Sequence, residues 1–335
     1  MKVSELGEFG LIDRLAKMVA SSQKKDTQPQ LILGIGDDAA AWQGDTATHL
    51  ATVDCLIQDV HFSLDITPWY ELGWKALAAN LSDIAAMGGI PRYALVSLAL
   101  PDNTEVVNVT SLYQGMIELA QQFDTMIVGG DTSRAPIVFI TISVFGSTAG
   151  QDKPVLTRSG ARPGEKVAVT GHLGNAAAGW EMLTKKLSFD PEATTSFQGA
   201  FLHPIPRIVE GQILLERGVT TAIDISDGLV ADLNHICKAS RVSARIEVEQ
   251  IPVLSLLKDS FGDRAQELAL SGGEDYELLF TGSDEVIARV KAIATCPISK
   301  IGEITADEPN EVTVVDNAGN PIELHQTGWE HFTRR

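Results

Sequence analysis

Aspartate side chains stand at the predicted ends of several strands, where together they could hold a divalent metal ion. Asp38 closes GIGDD, Asp54 closes LATVD and Asp131 closes VGGD, while Asp224 and Asp227 lie in AIDISDG. Each one alone is explained by a turn or a helix cap, for which aspartate is a favoured residue. Taken together they exceed what turns require, and oxygen ligands in this number are typical of Mg²⁺, which is often shared with substrate phosphates.

Asp83 differs from these residues because it lies inside a predicted helix, WKALAANLSDIAAMGG. At spacings of three and four it shares a face with the apolar or small residues Leu72, Ala76, Ala79 and Met87. A lone carboxylate on such a face is costly to bury unless a cation meets it. We therefore expect Asp83 to join the metal ligands.

Other signatures of nucleotide or metal binding are weaker. The chain has no GxxxxGK[ST], and its 7 histidines include no HxxxH or HExxH zinc pattern. GIGDDA does fit GxGxxA after a strand, but the following residues reach Gly44 too soon for a proper helix, and Asp37 and Asp38 would repel a bare pyrophosphate. GHLGNAAAG at 171–179 is better explained as a tight turn into a helix.

Basic residues that could meet a phosphate are few. Arg158, in LTRSG, and Arg162 lie in a stretch rich in glycine and proline. A solvated linker is the simpler explanation, but a glycine-flanked arginine between two domains is also well placed to clamp an anion in a cleft.

Length and composition limit the class of protein. The chain has 335 residues, 44% of them hydrophobic, which suits two domains with real cores. Its formal net charge of -18 makes it a poor general binder of nucleic acid or anionic membranes, although solubility alone could explain much of the excess acid. The 3 cysteines form no CxxC pair, and the N-terminus carries no signal-length apolar run. We expect a soluble cytoplasmic protein.

Short apolar runs alternate with helical patterns along the chain, which predicts mixed sheets covered by helices. The predicted strands include Leu50–Val53, Tyr93–Leu100, Met126–Val128, Ile137–Phe145 and Thr221–Ile225, and the predicted helices include Trp69–Met87 and Glu105–Phe123. A connector without periodicity covers 150–166. We therefore predict an α/β (α+β) protein with an N-terminal domain at 1–150 and a C-terminal domain at 151–335.

A set of motifs occurs in a fixed order along nearly the whole chain: GEFGLI, GIGDDAA, VHF, NLSDIAAMG, GGDTSR, LTRSGARPGE, AIDISDGL, SGGEDYEL and GWEHF. In this respect the chain resembles the thiamine-monophosphate kinase family, which belongs with aminoimidazole ribonucleotide synthetase and selenophosphate synthetase. The resemblance implies direct in-line transfer of phosphate from ATP to thiamine monophosphate, the last step of thiamine diphosphate biosynthesis. It also implies a homodimer, in which two N-terminal domains form a β-barrel, and a C-terminal α/β sandwich that completes the active-site cleft.

The resemblance also assigns roles to residues of this sequence. The positions matching Mg²⁺ ligands are Asp38, Thr52, Asp54, Asp83, Asp131, Asp224 and Asp227. The positions matching ATP contacts are Gly130, Asp131, Arg158 and Ser226, and those matching contacts to thiamine monophosphate are His61, Glu274 and Trp329. The family often has threonine before Asp54, where this chain has Val53, so ligation by that side chain is excluded here.

Physical chemistry agrees with these roles and leaves some alternatives open. The acceptor is a phosphate oxygen that is already ionised, so the reaction needs positioning and cations but no general base. His61 is then a hydrogen-bond donor to substrate phosphate or a packed strand histidine. Trp329 covers the cationic thiazolium ring or only docks the C-terminus.

Two other functions are compatible with parts of the sequence. One is a different ATP-using enzyme of the same superfamily, although the first fifty residues contain no cysteine to carry selenium, and GWEHF and SGGEDYEL disfavour a ribonucleotide synthetase. The other is a non-catalytic protein that binds divalent metal, which would leave the Arg158 motif without a reason.

Overall fold

A computed structural model describes residues 1–6, 8–22, 31–33, 41–42, 44, 46–151, 153–306, 311–324 and 326–329. The chain divides into two compact units, an N-terminal unit of Met1–Ile84 and Ile90–Lys153 and a C-terminal unit of Ala85–Gly89 and Pro154–Arg335. Each unit contains a mixed sheet, so the prediction of two α/β domains with mixed sheets is confirmed. Over the described residues no sheet closes into a barrel.

The N-terminal unit begins with helices and short strands and continues into a larger sheet. Its elements are α1 (Val3–Leu6), α2 (Glu8–Ser22), β1 (Leu31–Leu33), β2 (Ala41–Trp42), β3 (Ala47–Ile57), α3 (Trp69–Ala86), β4 (Ile90–Leu100), α4 (Val106–Gln122), β5 (Met126–Arg134) and β6 (Phe139–Gln151). The four longer strands form a sheet in the order β3-β6-β4-β5, in which only the β4–β5 pair is parallel.

The two faces of this sheet differ in burial because side chains alternate along each strand. On β4, Val96, Leu98 and Leu100 are at most 2% exposed, whereas the alternating positions Leu95 and Ser97 are only half-buried. On β3 the burial is lower throughout, and Val53 is 60% exposed. The sheet therefore has one buried face and one more open face, which is only partly covered within the chain.

Two predicted strand ends are wrong. Asp54 lies within β3, which pairs with β6 as far as Ile57, and Asp131 lies within β5, which pairs with β4 as far as Arg134. The glycines before Asp131 do not end the strand. Close packing against the neighbouring strand, and not a turn, explains why glycine is needed there. A Cβ atom on Gly130, whose φ is +154°, would lie 1.9 Å from the carbonyl oxygen of Val96.

The C-terminal unit contains more elements than the sequence patterns predict. These are β7 (Lys166–Thr170), α5 (Asn175–Lys185), α6 (Pro191–Leu202), α7 (Ile208–Glu216), β8 (Thr221–Asp224), α8 (Leu229–Ser240), β9 (Ser243–Glu247), α9 (Ser255–Phe261), α10 (Arg264–Ser271), β10 (Leu278–Gly282), α11 (Asp284–Lys291), β11 (Ile298–Thr305) and β12 (Val312–Val315). Helices α6, α9 and α10 and strand β11 were not predicted. The predicted turn into a helix at 171–179 is confirmed, since Gly174 caps α5.

The sheet of this unit has the order β12-β9-β11-β7-β10-β8, with only the β9–β12 pair parallel. Its core packs Val167, Val169 and Leu279 of the central strands against Leu233 and Ile236 of α8, all 0% exposed. This packing holds the end of β8 and the start of α8 in place, and AIDISDG covers the last residues of β8 and the loop that follows. In the described part of the chain, no helix has the length and apolarity needed to cross a membrane.

Candidate functional site

The first candidate group lies where β3 meets α3 in the N-terminal unit. Thr52 and Asp54 share one face of β3, and Asn80 and Asp83 lie one turn apart on α3. The hydroxyl of Thr52 donates to a carboxylate oxygen of Asp83 at 2.5 Å, and the backbone N–H of Asp54 donates to Oδ1 of Asn80 at 3.1 Å. The structure therefore brings three of the predicted metal ligands together.

Asn80 also belongs to this group and was not predicted. It is 1% exposed, and its Nδ2 donates to the carbonyl of Ala76 at 3.1 Å, which fixes the amide so that its oxygen faces Asp54. Its position three residues before Asp83 was a usable signal, because both then lie on one helical face. The oxygens gathered by Thr52, Asp54 and Asp83 are of the type that Mg²⁺ prefers, so the residues fit this ion.

Gly130 and Asp131 lie elsewhere in the same unit. Strands β6 and β4 separate β5 from β3, so Asp131 does not join Thr52 and Asp54 in this chain. Instead Gly130 and Asp131 line a pocket of about 90 Å³, together with Tyr113 and the apolar side chains of Leu15 and Val96. Tyr113 was not predicted. Apolar and aromatic residues make up much of its lining. Asp38 and Asp37 lie outside the described residues.

His61 lies just after β3 and is oriented by the backbone. The N–H of Ile57 donates to Nδ1 of His61 at 3.0 Å. A neutral imidazole whose Nδ1 accepts a hydrogen bond carries its proton on Nε2. In this tautomer the ring donates through Nε2, and the donor role towards substrate phosphate stays a prediction.

The second candidate group is the loop between β8 and α8 in the C-terminal unit. Asp224 ends β8, as predicted, and is 3% exposed. In the next residues the backbone N–H groups of Ser226, Asp227 and Gly228 all donate to one carboxylate oxygen of Asp232, each at 3.1 Å. Asp232 was not predicted, and its position in the first turns of α8 resembles an ordinary helical acid.

Two segments that are distant in sequence bind the backbone carbonyls of this loop. The carbonyl of Ser226 accepts the N–H of Glu274 at 2.8 Å, and that of Asp227 accepts the N–H of Trp329 at 3.0 Å. Glycines permit this approach: a Cβ on Gly273 would lie 2.5 Å from the oxygen of Ser226. The predicted ATP and metal residues thus adjoin two predicted substrate residues, Glu274 and Trp329, within one unit.

The segment that carries Glu274 is strained and firmly anchored. Glu274 and Tyr276 have φ values of +69° and +49°, which side chains other than glycine rarely adopt. Between them, the carboxylate of Asp275 accepts the N–H of Gly174 at 2.8 Å, and burial raises the pKa of Asp275 to about 8 despite that bond. Such strain persists only where the surroundings over-determine the backbone.

The next residue, Glu277, provides the strongest of these anchors. It is 5% exposed, receives two hydrogen bonds from the guanidinium of Arg207 and accepts a third from the hydroxyl of Thr170. None of these partners is near it in sequence. Glu277, the final acid of SGGEDYEL, therefore has a structural role. Glu274 of the same segment is a candidate contact to the substrate.

Arg158 belongs to the same neighbourhood as Asp227. Ser240 holds its loop by donating to the carbonyl of Arg158 at 3.1 Å. The pKa of the imidazole of His235 is lowered, first by burial and then by the charges of Arg158 and Lys238, while Asp227 raises it. Arg158 and Asp227 thus both act on His235, a residue that was not predicted.

Ligand atoms of Asp227, Asp232 and His235 all lie within 4.8 Å of one another. Burial, followed by the charges of Asp224 and Asp227, raises the pKa of Asp232 to about 8 against the N–H groups that lower it. The loop therefore concentrates negative charge, which a cation would relieve. Hard oxygens from Asp224 and Asp227 again fit Mg²⁺.

Comparisons with known proteins place this chain in a well-populated group. Family models for AIR synthase related protein match its residues 36–148 (N-terminal domain) and 162–315 (C-terminal domain). The thiamine-monophosphate kinase of Escherichia coli (strain K12) is 39% identical, over 97% of this chain and 98% of its own length.

Two solved structures are also similar to the chain over nearly their whole length. A crystal structure of thiamine-monophosphate kinase from Stenotrophomonas maltophilia K279a has a TM-score of 0.81 and 32% identity, over 94% of this chain and 98% of that one. The structure of AaThiL complexed with AMPPCP and TMP has a TM-score of 0.76 and 34% identity, over 99% of both chains.

Proposed function

The chain belongs to the thiamine-monophosphate kinase family, and from this membership we propose that it transfers phosphate from ATP to thiamine monophosphate, giving thiamine diphosphate and ADP. It is a phosphotransferase whose acceptor is a phosphate group. The observation that carries the proposal is full-length similarity to a protein solved with AMPPCP and TMP, combined with the adjacency of Ser226 to Glu274 and of Asp227 to Trp329.

Mg²⁺ would be held by acids in both units. In the N-terminal unit these are Asp54 and Asp83 with the hydroxyl of Thr52, and in the C-terminal unit they are Asp224 and Asp227; Asp38 and Asp131 are proposed from family resemblance alone. When bound, the ion supplies positive charge against phosphate oxygens.

The remaining proposed residues bind and orient the two substrates. By family resemblance, the positions assigned to the nucleotide are Gly130 and Asp131 in the N-terminal unit and Arg158 and Ser226 in the C-terminal unit. In the N-terminal unit, Tyr113 lines the same pocket as Gly130 and Asp131. Thiamine monophosphate is assigned to His61, Glu274 and Trp329. His61 donates through Nε2 to phosphate, and Trp329 covers the thiazolium by cation–π attraction.

We propose that transfer is direct, because an ionised phosphate acceptor needs no general base. His61 is not placed to act as a base through Nδ1, since that atom already accepts the N–H of Ile57. With labelled ATP and no acceptor, label should not remain on the protein after denaturation. Recovery of covalently bound γ-phosphate would contradict direct transfer.

An assay of ADP release tests the function itself. Purified protein with ATP and Mg²⁺ is given thiamine monophosphate, thiamine or no acceptor, and ADP and thiamine diphosphate are both measured. We expect turnover with thiamine monophosphate only. Equal ADP release without acceptor would indicate another ATP-using activity, and no release in any arm would favour a non-catalytic metal-binding protein.

We further propose a homodimer that forms through the open face of the N-terminal sheet. This face carries Val53, Leu95 and Phe145, which are exposed or half-buried apolar side chains that a second sheet would cover. Sedimentation at micromolar concentration should give a dimer, and Val53→Asp should shift it towards monomer. A wild-type monomer would count against the proposal. A cytoplasmic location remains a prediction from composition.

A further inference from the structure

The loop at 226–228 is folded around a carboxylate that belongs to the protein itself. Three successive N–H groups converge on a single oxygen of Asp232, which is 2% exposed. Successive backbone N–H groups that converge in this way form a concave nest, which in many proteins binds the phosphate of a ligand. Here the nest is filled from within, so these N–H groups do not face an incoming phosphate.

The carbonyl groups of the same loop are also committed. Those of Ser226 and Asp227 accept the N–H groups of Glu274 and Trp329. Backbone donors and acceptors of the loop are therefore both used inside the protein. What the loop offers to a ligand is its side chains, a hydroxyl at Ser226 and a carboxylate at Asp227, beside the carboxylate of Asp224.

From this arrangement we propose that Asp232 is a positioning residue that closes the 226–228 nest to anions and thereby holds Ser226 and Asp227 in the geometry that binds metal-complexed nucleotide. The inference rests on the proposed function and adds a residue to its site. Without the carboxylate, the same loop would bear three free N–H donors and would favour a bare anion over a cation.

A role of Asp232 as a direct metal ligand is less consistent with the contacts. Its ligand atom lies within 4.8 Å of those of Asp227 and His235, but one carboxylate oxygen already accepts three hydrogen bonds. Direct ligation would therefore have to use the second carboxylate oxygen, and the experiment below distinguishes that role from positioning of the loop. A purely structural role, in which Asp232 only caps the start of α8, predicts lost stability with unchanged ligand preference.

The experiment compares wild type, Asp232→Asn and Asp232→Ala with a matched control, Glu210→Gln. Glu210 is 3% exposed and accepts the N–H of Thr295 at 3.3 Å, so its variant also perturbs a buried carboxylate that binds backbone, away from the loop. Calorimetry measures binding of Mg²⁺·AMPPCP, and steady-state assays measure the KM for each substrate and inhibition by sulfate.

We expect Asp232→Ala to bind Mg²⁺·AMPPCP at least about tenfold more weakly, and Asp232→Asn, whose amide oxygen can still accept N–H groups of the loop, to lie between Asp232→Ala and wild type. The KM for thiamine monophosphate should rise less than the nucleotide affinity falls, because Glu274 and Trp329 contact the loop only through its carbonyls. Asp232→Ala should also be inhibited by sulfate at roughly fivefold lower concentration, because the opened nest accepts the anion. Glu210→Gln should lose thermal stability without either change. If Asp232→Ala does not fold, Asp232→Asn, which keeps the side-chain size, decides through the binding measurement.

Wild-type nucleotide affinity and sulfate sensitivity in folded Asp232→Asn and Asp232→Ala would overturn the inference. Metal binding that is lost with no new sensitivity to sulfate would instead assign Asp232 as a direct ligand and also overturn it. Failure of the proposed function gives a different result. The wild type would then bind Mg²⁺·AMPPCP without turning over thiamine monophosphate, and the effects of the Asp232 variants on binding would still be measured.

Discussion

The two clusters of carboxylate side chains, one in each unit, are positioned by different structural features. In the N-terminal unit, Thr52, Asp54 and Asp83 project from a strand and a helix, and the contacts among them run between neighbouring regular elements. In the C-terminal unit, Ser226 and Asp227 lie on a loop whose shape depends on Asp232 and on the distant segments of Glu274 and Trp329. The first group is a product of secondary structure and the second of tertiary hydrogen bonding.

This difference sets where each group is vulnerable. A side chain on a helix or strand can be changed without disturbing its neighbours' backbone. Its substitution should therefore lower activity and leave the fold unchanged. A loop shaped by buried polar contacts shifts when any of them is removed, so remote changes should act on it as strongly as local ones. The positive φ of Glu274 and Tyr276 adds strain to the second region, whereas α3 carries its acid in ordinary helical geometry.

The largest expected effect is on the chemistry of the first region. Asp83→Asn should lower kcat by about 10³-fold, or about 4 kcal/mol in the activation barrier, because it removes a carboxylate proposed to hold Mg²⁺. The asparagine oxygen can still accept the hydroxyl of Thr52, so the melting temperature should change little. Asp13→Asn, which removes an exposed acid of α2, is the control for net charge. Normal turnover by Asp83→Asn would show that this carboxylate is structural.

The next largest effect is on the stability of the second region. Glu277→Gln breaks a buried pair with Arg207, and because the Arg207 side chain is 23% exposed the loss should be about 3 kcal/mol, near the low end for such pairs. This corresponds to about 6–12 °C in melting temperature. The KM for thiamine monophosphate should also rise as the segment of Glu274 shifts.

A more exposed pair provides the control for that change. Lys166 and Glu303 are about a third exposed, so Glu303→Gln should cost less than about 1 kcal/mol. If Glu277→Gln is no more destabilising than Glu303→Gln, the second region does not depend on its remote anchors, and the contrast between the two regions fails.

The same contrast explains how much the sequence could reveal. Helical spacing was enough to mark Asp83, and strand alternation places Thr52 and Asp54 on one face, because both rules act between near neighbours in the chain. Asp232 and Glu277 gave no such signal. Asp232 binds backbone N–H groups of the preceding loop, whose conformation the sequence pattern does not reveal. Glu277 binds Arg207 and Thr170, which lie far away in sequence. The strand ends at Asp54 and Asp131 were misjudged because pairing with β6 and β4 overrides local turn preferences.

Dependence on Mg²⁺ tests whether both regions hold ions. ATP and the substrate phosphate bring about six negative charges, the proposed carboxylate ligands add more, and the thiazolium and Arg158 offset only about two. Several divalent ions are therefore needed beyond the one that accompanies ATP. ATP is kept saturated as its Mg²⁺ complex, and free Mg²⁺ is raised tenfold below its own saturation. The rate should then rise more than tenfold, which lowers the activation barrier by more than about 1.4 kcal/mol. A rate that is already maximal at stoichiometric Mg²⁺ would argue against ions in both regions.

The smallest expected effect is that of backbone strain on stability. It is measured by comparing a glycine variant with an alanine variant at one position in each region, so that loss of the side-chain function is common to both. At Glu274, with φ of +69°, an alanine would retain a cost of about 1–2 kcal/mol that glycine does not have. Glycine loses about 0.5–1 kcal/mol through the entropy of the unfolded chain, so Glu274→Gly should be more stable than Glu274→Ala by about 0.5–1 kcal/mol.

At Asp83, inside α3, the order should reverse. Glycine in a helix interior is about 1 kcal/mol less favourable than alanine, so Asp83→Gly should unfold at lower denaturant concentration than Asp83→Ala. Both members of each pair lack the functional side chain, so loss of a carboxylate cancels in the comparison and only the backbone preference remains. Opposite signs at the two positions are expected from a strained loop in one region and regular geometry in the other. The same sign at both would mean that Glu274 is held without strain, and that the second region differs from the first only in its hydrogen bonds.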